Sequence, residues 1–60
     1  MSITLYEKRC GVLTGEVRQN KYEATYEALV YYYGRAIYKN YFSTFENAKR
    51  AVNRNMKKYI

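Results

Sequence analysis

The sequence predicts a small α+β domain, an antiparallel sheet of three or four strands with one C-terminal helix packed across one face. Two observations carry this prediction. Residues 29–42 are rich in aromatic and β-branched side chains around a central glycine, which is typical of a hairpin. Residues 44–58 repeat apolar side chains at helical spacing. We expect residues 1–60 to form a single domain, with the sheet at about 3–42 and the helix at about 44–58.

The N-terminal part of the chain predicts two strands. Residues 3–8 are expected to form the first strand, and Gly11 makes a bend after it. Residues 12–18 predict a second, weaker strand, because Gly15 interrupts it and offers no side chain to pack.

A hairpin is predicted around Gly34. Glycine at the first of two turn positions favours a type II′ turn made by Gly34 and Arg35. The predicted register pairs Tyr33 with Ala36, Tyr32 with Ile37 and Tyr31 with Tyr38. This register places Tyr31, Tyr33 and Tyr38 on one face of the sheet. The opposite face then carries Val30, Tyr32 and Ile37.

The stretch before this turn has two interpretations. Alternating apolar and polar residues extend the strand back to Tyr22. The same stretch also fits helical spacing, with Tyr22, Tyr26 and Leu29 on one side and Asn20 as a cap. We favour the strand because four aromatic or β-branched residues in a row, 30–33, disfavour a helix.

The C-terminal helix has the clearest pattern. Ser43 is followed three residues later by Glu46, as in a capping box. The apolar stripe consists of Phe45, Ala48, Val52, Met56 and Tyr59. Lys57 and Lys58 in the last turn suit the negative end of the helix dipole. The set of residues available to bury is small, so the sequence leaves formation of a homodimer open.

The surplus positive charge lies in the second half of the chain. Residues 1–30 contain four Lys or Arg and four Glu, which cancel. Residues 31–60 contain seven Lys or Arg against Glu46 alone, which accounts for the net charge of +6. Such a field acts over about 8 Å in physiological salt. It attracts polyanions or acidic protein surfaces.

The composition argues against catalysis. The chain has no His and no Asp, so acid–base chemistry would fall to Glu, Lys or Tyr. Cys10 is the only cysteine, so it has no partner for an internal disulfide. Because the chain has no His, Cys10 also has no histidine to activate it and no second ligand type for a zinc site. We therefore expect a protein that is not an enzyme and holds no cofactor or metal. A single thiol, no signal peptide and no membrane-spanning apolar run predict a cytoplasmic protein without a membrane partner.

Residues 42–48, F-S-T-F-E-N-A, follow the predicted hairpin and form the pattern F-x-T-x-x-x-A leading into a helix. This pattern resembles the end of the plant ethylene-response-factor DNA-binding domain and the arm-type DNA-binding domain of tyrosine recombinases. The resemblance covers about residues 26–52. It implies that the outer sheet face lies in the DNA major groove, with the helix behind. By position it points to Tyr31, Tyr33, Arg35 and Tyr38, and Tyr38 falls where the ethylene-response domain has a strand Trp that touches DNA.

Two surfaces are candidates for function. One is the helix side opposite the apolar stripe, with Arg50, Arg54 and Lys57 flanked by Lys49 and Lys58. It suits phosphate contacts, or it is a solvated face that keeps the protein soluble. The other is the tyrosine face next to Arg35. These exposed rings could stack unpaired bases, form a hot spot for a protein partner, or simply cover the small core.

The sequence thus predicts a small stand-alone nucleic-acid-binding protein, an accessory or regulatory factor that binds DNA more readily than RNA. The alternative is an inhibitor or adaptor of the kind that viruses and mobile elements encode, bound to an acidic surface of a host nucleic-acid enzyme. The residues predicted to bind in either case are Tyr31, Tyr33, Arg35, Tyr38, Arg50, Arg54, Lys57 and Lys58.

Overall fold

Residues 2–20 and 24–59 are described by a computed structural model. They form four antiparallel strands, Ser2–Cys10 (β1), Leu13–Asn20 (β2), Tyr26–Tyr32 (β3) and Arg35–Phe42 (β4), in the order β1-β2-β3-β4. The helix Phe45–Lys57 (α1) then packs back on β2, β3 and β4. The predicted α+β class, with its C-terminal helix on one face, is confirmed.

The stretch with two interpretations is a strand from Tyr26 onward. The predicted extension back to Tyr22 is wrong for Ala24 and Thr25, which precede β3, and its remaining residues lie outside the described part of the chain. Both N-terminal strands differ slightly from their predicted ranges. β1 is longer at both ends, and β2 begins one residue later and ends two residues later.

The core lies between α1 and the inner face of the sheet. Because side chains alternate along a strand, every second residue of β2 and β3 points toward the helix. The buried cluster consists of Leu13, Val17, Ala28 and Val30 from the sheet and Ala48, Ala51, Val52 and Met56 from the helix. Phe45 closes one end through edge-to-face contacts with Tyr6 and Tyr26, at ring-centroid distances of 6.4 and 6.2 Å. Tyr59, predicted for the helix stripe, lies beyond the helix end and is exposed.

Gly15 lies directly under the helix. β2 continues through this position, and its partner on β3 is the fully buried Val30. A methyl group added at Gly15 would lie 2.6 Å from the Met56 sulfur and would overlap Val52 Cγ1. The residue that weakens the predicted strand therefore lets α1 approach the sheet backbone closely.

The β3–β4 turn lies one residue earlier than predicted. Tyr33 and Gly34 have φ values of 52° and 77°, and positive φ at both central residues is the pattern of a type I′ turn. Tyr32 therefore pairs with Arg35. The predicted type II′ turn at Gly34 and Arg35, and the register built on it, are wrong. The right-handed twist of the strands favours either turn type, so glycine alone did not decide between them.

A bulge between β3 and β4 places the tyrosines that were predicted to share one face on opposite faces of the sheet. Tyr31 pairs with Ala36 while Val30 pairs with Tyr38, so that Ile37 is an additional residue on β4. Tyr38 consequently shares the inner face with Val30 and packs against the core, whereas Tyr31 points to the outer face. The prediction that Tyr31, Tyr33 and Tyr38 share a face is wrong.

The helix begins one residue later than the capping box predicts. The N-cap is Thr44, whose Oγ1 accepts a hydrogen bond from the backbone N–H of Asn47 at 3.2 Å. With Thr44 as the cap, the third helical residue is Asn47, so the predicted pairing of Ser43 with Glu46 is wrong. Glu46 still lies in the first turn, where a carboxylate interacts favourably with the helix dipole.

The two candidate caps can be separated by mutation. Thr44→Ala should lower the free energy of unfolding by about 1 kcal/mol, because it removes the acceptor for the Asn47 N–H. Ser43→Ala is the matched control and should change it by less than about 0.5 kcal/mol. Urea denaturation followed by circular dichroism measures both. A larger loss for Ser43→Ala than for Thr44→Ala would restore the predicted capping box.

Candidate nucleic-acid interface

The outer sheet face is electrically balanced. Three ion pairs lie on it, joining Arg9 to Glu7, Arg18 to Glu16 and Lys39 to Glu27 at 3.6, 2.8 and 3.4 Å. Within residues 2–20 and 24–59 these are the only ion pairs. Since three cations meet three carboxylates, this face presents no net charge to a distant ligand.

Lys39 belongs to the balanced face although it comes from the basic half of the chain. Hydrogen bonds with Tyr41 and with Glu27 raise the pKa of Lys39 above its ordinary value. Its Nζ also lies 5.8 Å from the centre of the Tyr41 ring. Lys39 is therefore engaged locally, and it adds little to the surplus field.

The helix carries its cations on the side opposite the core. Arg50, Arg54 and Lys57, here called the basic helix face, are all exposed and point away from the buried Ala48 and Val52. None of the three forms an ion pair within the described part of the chain. They span about 10 Å along the helix axis at 1.5 Å per residue. The placement predicted for these residues agrees with the structure.

One flank of the helix gains a cation from the other half of the chain. Lys8 Nζ donates to Asn53 Oδ1 at 3.2 Å, and the Tyr6 hydroxyl is 3.5 Å from the same oxygen. Lys49 Nζ lies 5.2 Å from the centre of the Tyr6 ring, a cation–π contact. Positive charge thus continues from the helix onto β1. Sequence reasoning missed Lys8, because its contact with α1 depends on how far the helix overlaps β1.

A cluster of three tyrosines lies at the turn end of the sheet. The rings of Tyr32 and Tyr33 meet edge-to-face at 4.7 Å, and Tyr59 lies 5.9 Å from Tyr32 at an interplanar angle of 31°. We call Tyr32, Tyr33 and Tyr59 the aromatic end; their exposed fractions are 40%, 72% and 52%. The Tyr33 N–H donates to the Val12 carbonyl at 3.0 Å, which joins the two hairpin turns.

The aromatic end brings together cations that are distant in sequence. Arg35 is the strand partner of Tyr32, while Lys57 and Lys58 come just before Tyr59. The ring contacts join one predicted residue, Tyr33, to two that were missed, Tyr32 and Tyr59. The predicted Arg35, Lys57 and Lys58 adjoin them as strand partner or as chain neighbours. Tyr32 was assigned to the inner face and Tyr59 to the apolar stripe of the helix. No local signal placed Tyr32 here, because it directly precedes the turn only in the observed register.

Comparison of the chain with protein-family models, with curated proteins and with solved structures gave no significant match. The resemblance to the two DNA-binding domains stays a prediction. One residue that the resemblance assigns to DNA contact is not available for it in the structure. Tyr38, which the resemblance places where the ethylene-response domain has a DNA-touching Trp, packs against the core.

The described residues hold neither a cluster of metal ligands nor a membrane-spanning helix. No three His, Cys, Asp or Glu side chains among residues 2–20 and 24–59 come together as metal ligands. Cys10 is exposed and unpaired at the end of β1. The helix formed by the described residues is too short and too polar to cross a membrane.

Proposed function

We propose that this protein binds nucleic acid through the basic helix face, as a small accessory or regulatory factor. The separation of charge between its two surfaces carries the proposal. Carboxylates balance the cations of the outer sheet face, whereas Arg50, Arg54 and Lys57 lack such partners in the described chain. Unpaired cations on the basic helix face can bind the phosphates of a nucleic acid, and such contacts supply affinity that does not depend on sequence.

The choice of surface differs from the one that the family resemblance implies. In that arrangement the outer sheet face enters the major groove. Here that face carries Glu7, Glu16 and Glu27, whose carboxylates would lie close to phosphates. On α1 the one carboxylate that could repel phosphates is Glu46, in the first turn. The resemblance nevertheless supports DNA over RNA as the preferred ligand.

The proposal is tested by salt-dependent binding of a labelled DNA duplex, followed by fluorescence anisotropy. Arg50→Ala combined with Arg54→Ala should weaken binding at low salt by about tenfold or more. The double variant should also make the slope of log affinity against log salt shallower by about 2, because each phosphate contact contributes about 0.9 to that slope.

The matched control removes two cations from the balanced face instead. Arg9→Ala combined with Lys39→Ala lowers the net charge by the same amount. It breaks two ion pairs whose cations are exposed, together with the contacts of Lys39 with Tyr41, and such surface pairs contribute little to stability. Its salt slope should stay near that of the unmodified protein. An equal loss in both double variants would show that total charge, not the helix face, determines binding.

The second candidate is a protein-binding inhibitor or adaptor that targets a host nucleic-acid enzyme. The edge strand β1 favours it, because Ile3 and Leu5 are 54% and 44% exposed there. An open edge with apolar side chains can accept a strand from a partner. This candidate predicts a stoichiometric complex with one purified partner. Its affinity would fall on Leu5→Lys and would respond weakly to salt and to loss of Arg50 and Arg54.

A further inference from the structure

Tyr33 occupies a backbone conformation that its side chain does not favour. Its φ of 52° lies in the left-handed region, where a type I′ turn normally has Asn, Asp or Gly. The ring is 72% exposed, so burial in the core does not account for a tyrosine at this position. Residues held in such conformations concentrate at functional sites.

The neighbouring rings leave aromatic surface available to a ligand. Tyr33 meets Tyr32 edge-to-face, at an interplanar angle of 88°, so the ring that contributes its edge keeps both of its faces out of this contact. Tyr59 lies next to Tyr32, at a ring-centroid distance of 5.9 Å, and extends the aromatic surface. Exposed aromatic rings of this kind are platforms on which unpaired bases stack, with little dependence on base identity.

The charges around the aromatic end favour a nucleic acid over an apolar protein segment. Arg35 is the strand partner of Tyr32, and Lys57 and Lys58 come just before Tyr59 in the chain. None of these three cations is ion-paired within the described residues. A base stacked on the rings brings phosphates on either side, and these cations complement them. An apolar peptide would leave the same cations without a counter-charge.

Lys57 connects this cluster to the basic helix face. It lies on the same helix side as Arg50 and Arg54, and it is two residues before Tyr59. A strand that follows the helix toward its C-terminal end would therefore place its phosphates on the cations. Its base would reach the tyrosines at the end of the same path.

We propose that the aromatic end stacks an unpaired base, so that the protein prefers single-stranded nucleic acid to a duplex. This inference rests on the proposed function, since the phosphates of the strand are held by the basic helix face. A duplex keeps its bases stacked internally and offers only phosphates to the same surface.

The test compares three labelled DNA ligands by fluorescence anisotropy: oligothymidylate, an abasic strand of equal length, and a duplex. The unmodified protein should bind oligothymidylate about fivefold or more tightly than the abasic strand, which has the same phosphates but no base to stack. Tyr33→Asn should reduce the oligothymidylate affinity by about tenfold. It should change binding of the abasic strand and the duplex by less than about twofold.

Tyr33→Asn also separates lost binding from lost folding. Asn-Gly is a preferred pair for a type I′ turn, so this variant should melt at a higher temperature than the unmodified protein while binding less well. Tyr41→Asn is the matched control. Tyr41 is 53% exposed but lies on the outer face of β4, and its loss should leave the preference for oligothymidylate unchanged.

The failures of the two proposals are distinguishable. Equal affinity for oligothymidylate and the abasic strand, with weaker binding only in the Arg50 and Arg54 variant, overturns base stacking and leaves the proposed function intact. An equal effect of Tyr41→Asn and Tyr33→Asn also overturns it. A protein partner that loses affinity on Tyr33→Asn, with oligothymidylate unaffected, makes the aromatic end a protein hot spot instead. No binding of any ligand at low salt overturns both proposals.

Discussion

Gly15→Ala should lower the free energy of unfolding by about 2–3 kcal/mol, near the upper end for overpacking a core. The added methyl group would lie 2.6 Å from the Met56 sulfur and would overlap Val52. Replacing glycine in a strand by alanine can gain about 0.4–1 kcal/mol by restricting the unfolded chain. The clash exceeds that gain, because two buried helix side chains must move. For a domain of 60 residues this is a large share of its total stability.

A double variant tests the cause of this loss. Val52→Ala removes the methyl group that the new side chain would overlap, so Gly15→Ala with Val52→Ala should be more stable than the sum of the two single effects predicts. Coupling of about 0.5–3 kcal/mol is typical of residues in contact. Urea denaturation gives all three values.

Gly11→Ala provides a control at another glycine. A methyl group there would meet nothing within 4 Å, although φ is 63°, so we expect only the backbone cost of about 1–2 kcal/mol. It should show no coupling to Val52. If Gly15→Ala left the unfolding midpoint unchanged, or if coupling to Val52 were absent, the close approach of α1 to β2 would be contradicted.

Met56→Ala should cost about 2–5 kcal/mol, the range for truncating a buried methionine. Met56 is fully buried in the last part of α1, and it packs over Gly15. Its carbonyl also accepts the Tyr59 N–H at 3.0 Å, at the point where the chain leaves the helix. Loss of the side chain should therefore loosen the segment that carries Lys57, Lys58 and Tyr59 before the rest of the fold.

Two measurements check this expectation. Urea denaturation gives the total loss, with Lys57→Ala, the exposed neighbour, as a control that should stay within about 0.5 kcal/mol. Amide hydrogen exchange reports the local effect, and protection of the Tyr59 N–H should fall more than that of Val30 in β3. A uniform fall in protection, or a loss no larger than that of Lys57→Ala, would contradict the anchoring role of Met56.

The helix and its basic face were predictable because one period determines both sides of a helix. Once Ala48, Val52 and Met56 are assigned to the core at 3.6 residues per turn, the opposite side must hold Arg50, Arg54 and Lys57. The start of the helix was harder to place. Ser43 and Thr44 are both good caps, and the choice depends on where β4 ends.

The tyrosines were not predictable in the same way, because strand faces depend on register. Gly34 fits the first position of a type II′ turn and the second position of a type I′ turn equally well. A one-residue difference exchanges the faces of a strand. The bulge at Ile37 then moves Tyr38 to the inner side. Local sequence contains little information on a bulge, since a bulge belongs to the pairing of two strands and not to one strand alone.

By itself, the sequence determined the order of strands and helix, the amphipathic sides of α1 and the size of the surplus charge, since these depend on near neighbours along the chain. The tertiary structure alone decided where that charge is cancelled and which rings meet. Glu27 balances Lys39 from the other half of the chain, and Tyr59 reaches Tyr32 because α1 runs back toward the hairpin turns. Contacts between residues far apart in sequence follow from strand register and helix docking, which no local pattern specifies.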